Sequence, residues 1–216
     1  MSYHLTYFNL KGLAETSRLL LAAAHVEFED ERYPFNATDF SRPEFEVAKA
    51  ADKFYLNLGS VPVLSYTGPD GSVTLGQSKA IERFLAKKLG YFGANDLEAA
   101  QIDMITEHCR DIKQKYADAR AGKKDAELDA AKAKFVAESL PTWFGKLEKT
   151  LSGTGYAVGS KLSLADIVIF SLVKDYFDDL AGVWIATSET PKIRASCEAA
   201  QAAVQHWLAV RPVTKF

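Results

Sequence analysis

The stretch Gly59-Ser-Val-Pro-Val-Leu-Ser-Tyr-Thr-Gly-Pro-Asp-Gly-Ser-Val-Thr-Leu-Gly-Gln-Ser78 decides the fold. Val63 to Tyr66 and Val73 to Leu75 read as two strands joined by the Gly68-Pro69-Asp70-Gly71 turn, which makes a hairpin. Gln77-Ser78 follows the second strand directly and precedes a helical pattern. Pro62 opens the first strand, where its missing N–H costs no ladder bond, and a cis bond before it would turn the Val61 backbone outward to pair with an extended peptide. At the other end, the first N–H groups of a helix starting near Ser78 lack intrahelical partners and favour a carboxylate. Taken singly these are a strand start and a helix cap. Together, across one hairpin, they describe a site for a small acidic peptide.

Upstream, Tyr3 to Phe8 alternates, with Tyr3, Leu5 and Tyr7 on one face and His4, Thr6 and Phe8 on the other, as a strand packed on both sides would. Leu13, Leu20, Leu21 and Ala24 fall at helical spacing and predict a first helix. Phe28 to Tyr33 reads as a second, more polar strand, and residues 39–54, with Pro43 and many charges, as a short helix within a mobile loop. After the hairpin, Ala80, Ile81, Phe84 and Leu85 form the buried stripe of a helix that Gly90 ends. This order is that of an α/β thioredoxin-like domain over residues 1–85.

The remainder, residues 86–216, reads as an all-α helical domain. Ile102, Ile105, Cys109, Ile112 and Tyr116 form one stripe, and Phe135, Leu140, Phe144, Leu147 and Leu151 a second with a break or kink at Pro141. Ser163-Leu-Ala-Asp166 is a capping box in front of the apolar run Ile167 to Leu180, the expected buried axis of this domain. Thr190-Pro191 opens a last helix.

With 216 residues, 48% hydrophobic and 12% aromatic, the chain can bury a sizeable core. A net charge of -2 and a pI near 6.1 leave no electrostatic footprint for nucleic acid or an anionic membrane, so neither partner is expected. Cys109 and Cys197 stand far apart with no CxxC and no zinc-ligand spacing, which predicts free thiols and no metal site. Without a basic, apolar leader or an apolar run approaching membrane-spanning length, a cytoplasmic protein is expected.

Val61-Pro62 with Gln77-Ser78-Lys79-Ala80-Ile81, together with Tyr7-Phe8-Asn9 and Gly12-Leu13-Ala14-Glu15, resembles the soluble glutathione transferases of the tyrosine type. The likeness is closest to the sigma class, with alpha and mu features, and runs over nearly the whole chain. It implies the glutathione transferase fold, a homodimer, small hydrophobic electrophiles as second substrate, and no cofactor beyond glutathione as co-substrate. By the same resemblance Tyr7 is catalytic, Val61 with Pro62 meets the cysteinyl backbone, and Gln77 and Ser78 hold the γ-glutamyl carboxylate. Lys53, assisted by Asn57, and Arg42 face the glycyl carboxylate, and Asp111 reaches the γ-glutamyl amine from the partner subunit. Phe8, Leu13, Ile105 and Arg110, with the segment Trp207 to Phe216, line the electrophile pocket. Read without the resemblance, Tyr7 is a core strand tyrosine, Arg42 and Lys53 are solvated loop charges, and Asp103, Glu107 and Asp111, at i, i+4 and i+8, are one solvated helix face.

A free thiol titrates near pH ~8.5, so glutathione needs help to become a thiolate at neutral pH. Lowering that value by two units takes about 2.7 kcal/mol, within reach of one or two charge-assisted hydrogen bonds. The resembled sequences add an arginine beside the thiolate where this chain has Leu13, and Lys11 is its nearest replacement in sequence. Two alternatives remain: a glutathione-dependent isomerase or peroxidase of the prostaglandin-synthase kind, and a non-enzymatic ligand-binding or structural relative. A thioredoxin-type oxidoreductase is not expected, because Tyr7-Phe8-Asn9-Leu10 stands where a CxxC is needed.

Overall fold

A computed structural model describes residues 1–214. They form two compact units, residues 1–89 with the stretch from Val204 onward, and residues 90–203.

The first unit is built on a mixed sheet of β1 (Ser2–Phe8), β2 (Glu29–Tyr33), β3 (Val63–Gly68) and β4 (Gly71–Gly76), in the order β2-β1-β3-β4. β1 runs parallel to β2 and antiparallel to β3, and β3 and β4 make the expected hairpin around Pro69-Asp70. β1 is therefore central, with Tyr3, Leu5, Thr6 and Tyr7 buried and His4 and Phe8 half-buried. The crossover to β2 is α1 (Glu15–Ala23), preceded by a single 3-10 turn at Gly12–Ala14. Every residue of α1 is buried, so its apolar periodicity is broader than the predicted stripe. Leu13 falls outside the helix and is 56% exposed. The predicted loop helix is α2 (Pro43–Ala50). α3 (Ser78–Leu89) buries Ile81, Glu82, Leu85 and Ala86, while Phe84 is half-buried and Ala80 exposed. The buried face is thus turned by about one position from the expected one, and Gly90, at φ +83, closes the helix.

In the second unit, α4 (Asp96–Arg120) buries its predicted stripe completely or nearly so, and Asn95 caps it by accepting the Glu98 N–H at 3.0 Å. α5 (Asp125–Lys134) and α6 (Leu140–Glu148) are joined by a π-helical turn at Phe135–Ser139. The break expected at Pro141 takes this form because proline has no N–H to donate and its ring needs room against the preceding turn. α7 (Leu164–Asp175) is the buried axis, but it ends at Asp175. Leu180 instead opens α8 (Leu180–Ala186), capped by Asp179, and is 50% exposed. The chain finishes in α9 (Pro191–Val210), whose last residues, from Val204, group with the first unit.

The capping box of α7 is present, and Asp166 does more than close it. Its Oδ2 accepts the Ser163 N–H at 2.9 Å and the Ser163 hydroxyl at 2.8 Å. Its Oδ1 accepts the Ala157 N–H and the Ser196 hydroxyl, both at 2.7 Å, which ties a loop and α9 to the start of α7. Among the described residues no helix is long and apolar enough to cross a membrane, and no group of side chains has the composition of a metal site.

Candidate functional site

Tyr7 stands at the end of the central strand, 6% exposed. Its hydroxyl oxygen accepts the Leu13 N–H at 3.2 Å, and the turn that brings this N–H in depends on Gly12. Gly12 has φ +44, and a Cβ there would lie 2.7 Å from the Tyr7 oxygen. Burial pushes the Tyr7 pKa up, while the Leu13 N–H and the charge of Arg18 pull it back. The net upward direction keeps the phenol protonated at neutral pH. An oxygen that already accepts one N–H is fixed in place and can donate its own proton outward.

The second half of the site is the hairpin. The Val61-Pro62 peptide is cis, as the sequence pointed to. Asn57, 4% exposed, donates from Nδ2 to the carbonyls of Ser60 (3.0 Å) and Pro62 (2.9 Å), and its Oδ1 accepts the Gln77 N–H at 2.9 Å. Its amide is therefore engaged inside the protein. What Asn57 does is hold Pro62 and Gln77 at a fixed separation. Gln77 has φ +66 and caps α3 through its carbonyl, which accepts the Ile81 N–H at 3.0 Å. A Cβ on Gly76 would lie 2.6 Å from Asn57, so glycine is required for this approach. Gln77 is exposed and Ser78 half-buried, both at the N-terminus of α3.

Two further predicted residues sit over an aromatic cluster. The Arg42 guanidinium lies 5.7 Å from the Phe8 ring and 5.5 Å from the Phe45 ring, and Nε donates to Glu46 at 2.8 Å. Lys53 donates to Glu31 at 2.6 Å and to the Tyr33 hydroxyl at 2.9 Å. Both cations are thus held in ion pairs rather than simply solvated, and the neighbouring Phe45 and Phe54 rings stack at 5.3 Å.

The residues expected from α4 do not act as one group. Ile105 is fully buried, whereas Arg110 is 62% exposed and pairs with Glu107 at 2.8 Å. Five residues along a helix turn the chain by about 500°, which leaves the two side chains roughly 140° apart. The two side chains therefore do not share one face of α4. Asp111 is exposed and borders a cavity of about 260 Å³ between α4 and α6. Trp207 packs on Phe28 at 5.5 Å within the first unit, and Lys215 and Phe216 lie outside the described residues.

Sequence reasoning missed Arg18 and Glu15. Both are buried beneath the Tyr7 turn, and the local signal was a charged pair three residues apart ahead of the apolar run Leu19 to Ala23.

Comparison with known proteins gives a consistent picture. Residues 3–87 match the family model of the glutathione S-transferase N-terminal domain, and residues 110–211 that of the C-terminal domain. Glutathione S-transferase 3 of Caenorhabditis elegans is 32% identical, with 99% of each chain covered. Among solved structures, a monomeric glutathione S-transferase of the hookworm Necator americanus superposes with TM-score 0.79 at 28% identity, all of both chains covered. A prostaglandin synthase D of Nilaparvata lugens gives TM-score 0.75 at 28% identity, covering 99% of this chain and 100% of that one.

Proposed function

This chain belongs to the glutathione S-transferases, and from that premise we propose that Tyr7 is the donor that holds the glutathione thiol as a thiolate for attack on small hydrophobic electrophiles. The observation that carries this reading is the Tyr7 oxygen, buried, protonated and oriented by the Leu13 N–H. Its proton points to the one role a fixed phenol performs well, stabilising an adjacent anion. The Val61 backbone pairs with the cysteinyl unit, and Gln77 and Ser78 at the start of α3 take the γ-glutamyl carboxylate. Asn57 supports both contacts by fixing their spacing. Lys53 and Arg42 are the cations available to the glycyl carboxylate. Residues 1–85 serve as the glutathione-binding domain and residues 86–216 as the domain shaping the electrophile pocket. The enzyme works in the cytoplasm, without a metal or a resident cofactor.

We further infer a homodimer in which Asp111 reaches the partner subunit's glutathione. The Necator relative is monomeric, so sedimentation of the natural protein is the direct check, and a monomer that conjugates at full rate removes Asp111 from the site. The central test is conjugation of glutathione to an aryl halide across pH, with Tyr7→Phe beside the natural protein. At least a tenfold fall near neutral pH, corresponding to about one unit or more of thiol pKa, is expected. Equal rates would remove Tyr7 from the chemistry. A second reading, isomerisation of a prostaglandin-like peroxide by the same thiolate, is favoured by the likeness to the Nilaparvata enzyme. It predicts turnover of such a substrate with glutathione regenerated.

A further inference from the structure

The turn that holds Tyr7 is anchored by a buried ion cluster whose last member comes from the far end of the chain. Glu15, 2% exposed, receives Arg18 Nη1 on Oε2 at 3.4 Å, and Trp207 Nε1 at 3.2 Å and Arg211 Nη1 at 2.8 Å on Oε1. Arg18 has no exposed surface. Its Nη1 also donates to the carbonyls of Leu10 (2.8 Å) and Lys11 (3.4 Å), and its Nε to Asp30 at 3.1 Å. Leu10 and Lys11 begin the turn that delivers the Leu13 N–H to the Tyr7 oxygen. A continuous path of polar contacts therefore runs from Arg211 through Glu15 and Arg18 to that turn.

Among the described residues the cluster holds more guanidiniums than carboxylates. Arg32 joins it on Asp30 at 2.7 Å, so the three guanidiniums of Arg18, Arg32 and Arg211 face the two carboxylates of Glu15 and Asp30. Arg18 Nη2 has no hydrogen-bond partner among the described residues. The Arg18 guanidinium carbon is 5.9 Å from the centre of the Tyr7 ring.

We propose that Arg211, acting through Glu15 and Arg18, is a positioning residue that holds the Tyr7 turn and keeps the positive charge of Arg18 beneath the thiolate, a charge that Leu13 does not supply. This rests on the reading of Tyr7 as thiolate donor. Replacing Arg211 by a neutral side chain removes one positive charge and frees Glu15 to pull harder on Arg18, away from the turn carbonyls. The other charged or titratable groups around the turn stay as they are: Lys11 on the turn, Arg42 over Phe8, the Glu31–Lys53 pair on β2, and the stacked His25 and His206 rings at 4.7 Å.

The test is the pH titration of the thiolate absorbance of bound glutathione, with kcat and KM measured over the same range, for the natural protein, Arg211→Met, Arg211→Lys and Trp207→Phe. Arg211→Met should raise the thiol pKa by about half to one unit and lower kcat about three- to tenfold near neutral pH. The deficit should vanish at high pH, where the thiol ionises unaided, and KM for glutathione should stay within about twofold. Arg211→Lys should restore most of the effect, and Trp207→Phe, which keeps the packing on Phe28 but loses one neutral donor, should shift the titration less than Arg211→Met. An unshifted titration in Arg211→Met, or a loss of rate that is the same at every pH and that lysine does not rescue, overturns the proposal. A natural protein that gives no thiolate signal with glutathione overturns the functional reading itself, a distinguishable outcome.

Discussion

Replacing Asp166 should damage the second unit in a graded way that its four hydrogen bonds make calculable. The carboxylate has no exposed surface and receives two backbone N–H groups and two hydroxyls. Asp166→Ala leaves the Ala157 and Ser163 N–H groups buried without an acceptor, while the hydroxyls of Ser163 and Ser196 can rotate toward other partners. Each stranded N–H costs about 1–3 kcal/mol, and together with the lost cap the change should remove about 3–5 kcal/mol. In a chain of this size that lowers Tm by about 8–15 °C. Asp166→Asn keeps one acceptor oxygen but turns an NH2 group toward one of the two N–H donors, so it should lose about half as much. Thermal and urea unfolding of the two variants beside the natural protein check this. A loss below about 1 kcal/mol in Asp166→Ala, or an asparagine variant as damaged as the alanine one, would show that stranded donors do not carry the cost.

Gly12→Ala should reduce kcat/KM by more than tenfold while the protein remains folded, because the new methyl competes with the Tyr7 oxygen for space at a φ of +44; near-normal kinetics would show that the turn has slack. Asn57→Ala should raise KM for glutathione severalfold with a smaller change in kcat, since it unties Pro62 from Gln77; a selective fall in kcat would count against a spacing role. Burial pushes the Glu31 carboxyl up, but hydrogen bonds from Lys53 and Thr6 pull it further down, so its folded pKa lies below the ordinary value. A depressed acid stabilises the fold above its unfolded pKa and loses that contribution as pH falls through the folded one. The stability gap between the natural protein and Lys53→Met should therefore close as the solution is acidified, and a gap independent of pH would contradict the ion pair. Burial pushes the Cys197 thiol up to about 12, so alkylating reagents should label it only as the protein unfolds; rapid labelling of the native protein would refute this.

The parts of the molecule that were readable in the sequence are those with local causes. The hairpin announces itself through Pro69-Asp70 and its flanking glycines, the cap of α7 through Ser163 and Asp166, and α4 through a stripe that repeats at helical spacing because only one side of that helix is buried. Where burial is complete the signal fades. α1 is enclosed on all sides, so the apolar spacing around it did not mark Glu15 and Arg18 as important. The apolar residues after Asp175 concealed the end of α7, because hydrophobicity alone does not say whether a helix continues. Ile105 and Arg110 were grouped by their place in a resembled sequence although helical geometry separates them. The link from Glu15 to Arg211 had no local cause to read, since the two lie 196 residues apart.

That separation bears on how the protein is made. Translation delivers the sheet, α1 and α3 first, yet Glu15 then faces Arg18 without Trp207 and Arg211, which emerge only after the whole second unit. A nascent chain of the first unit alone thus lacks two of the partners of the Glu15 carboxylate, and domains ordinarily fold in order of synthesis. The N-terminal unit therefore reaches its final state last, when the end of α9 docks, and proteolysis of that end should loosen the part of the protein synthesised earliest.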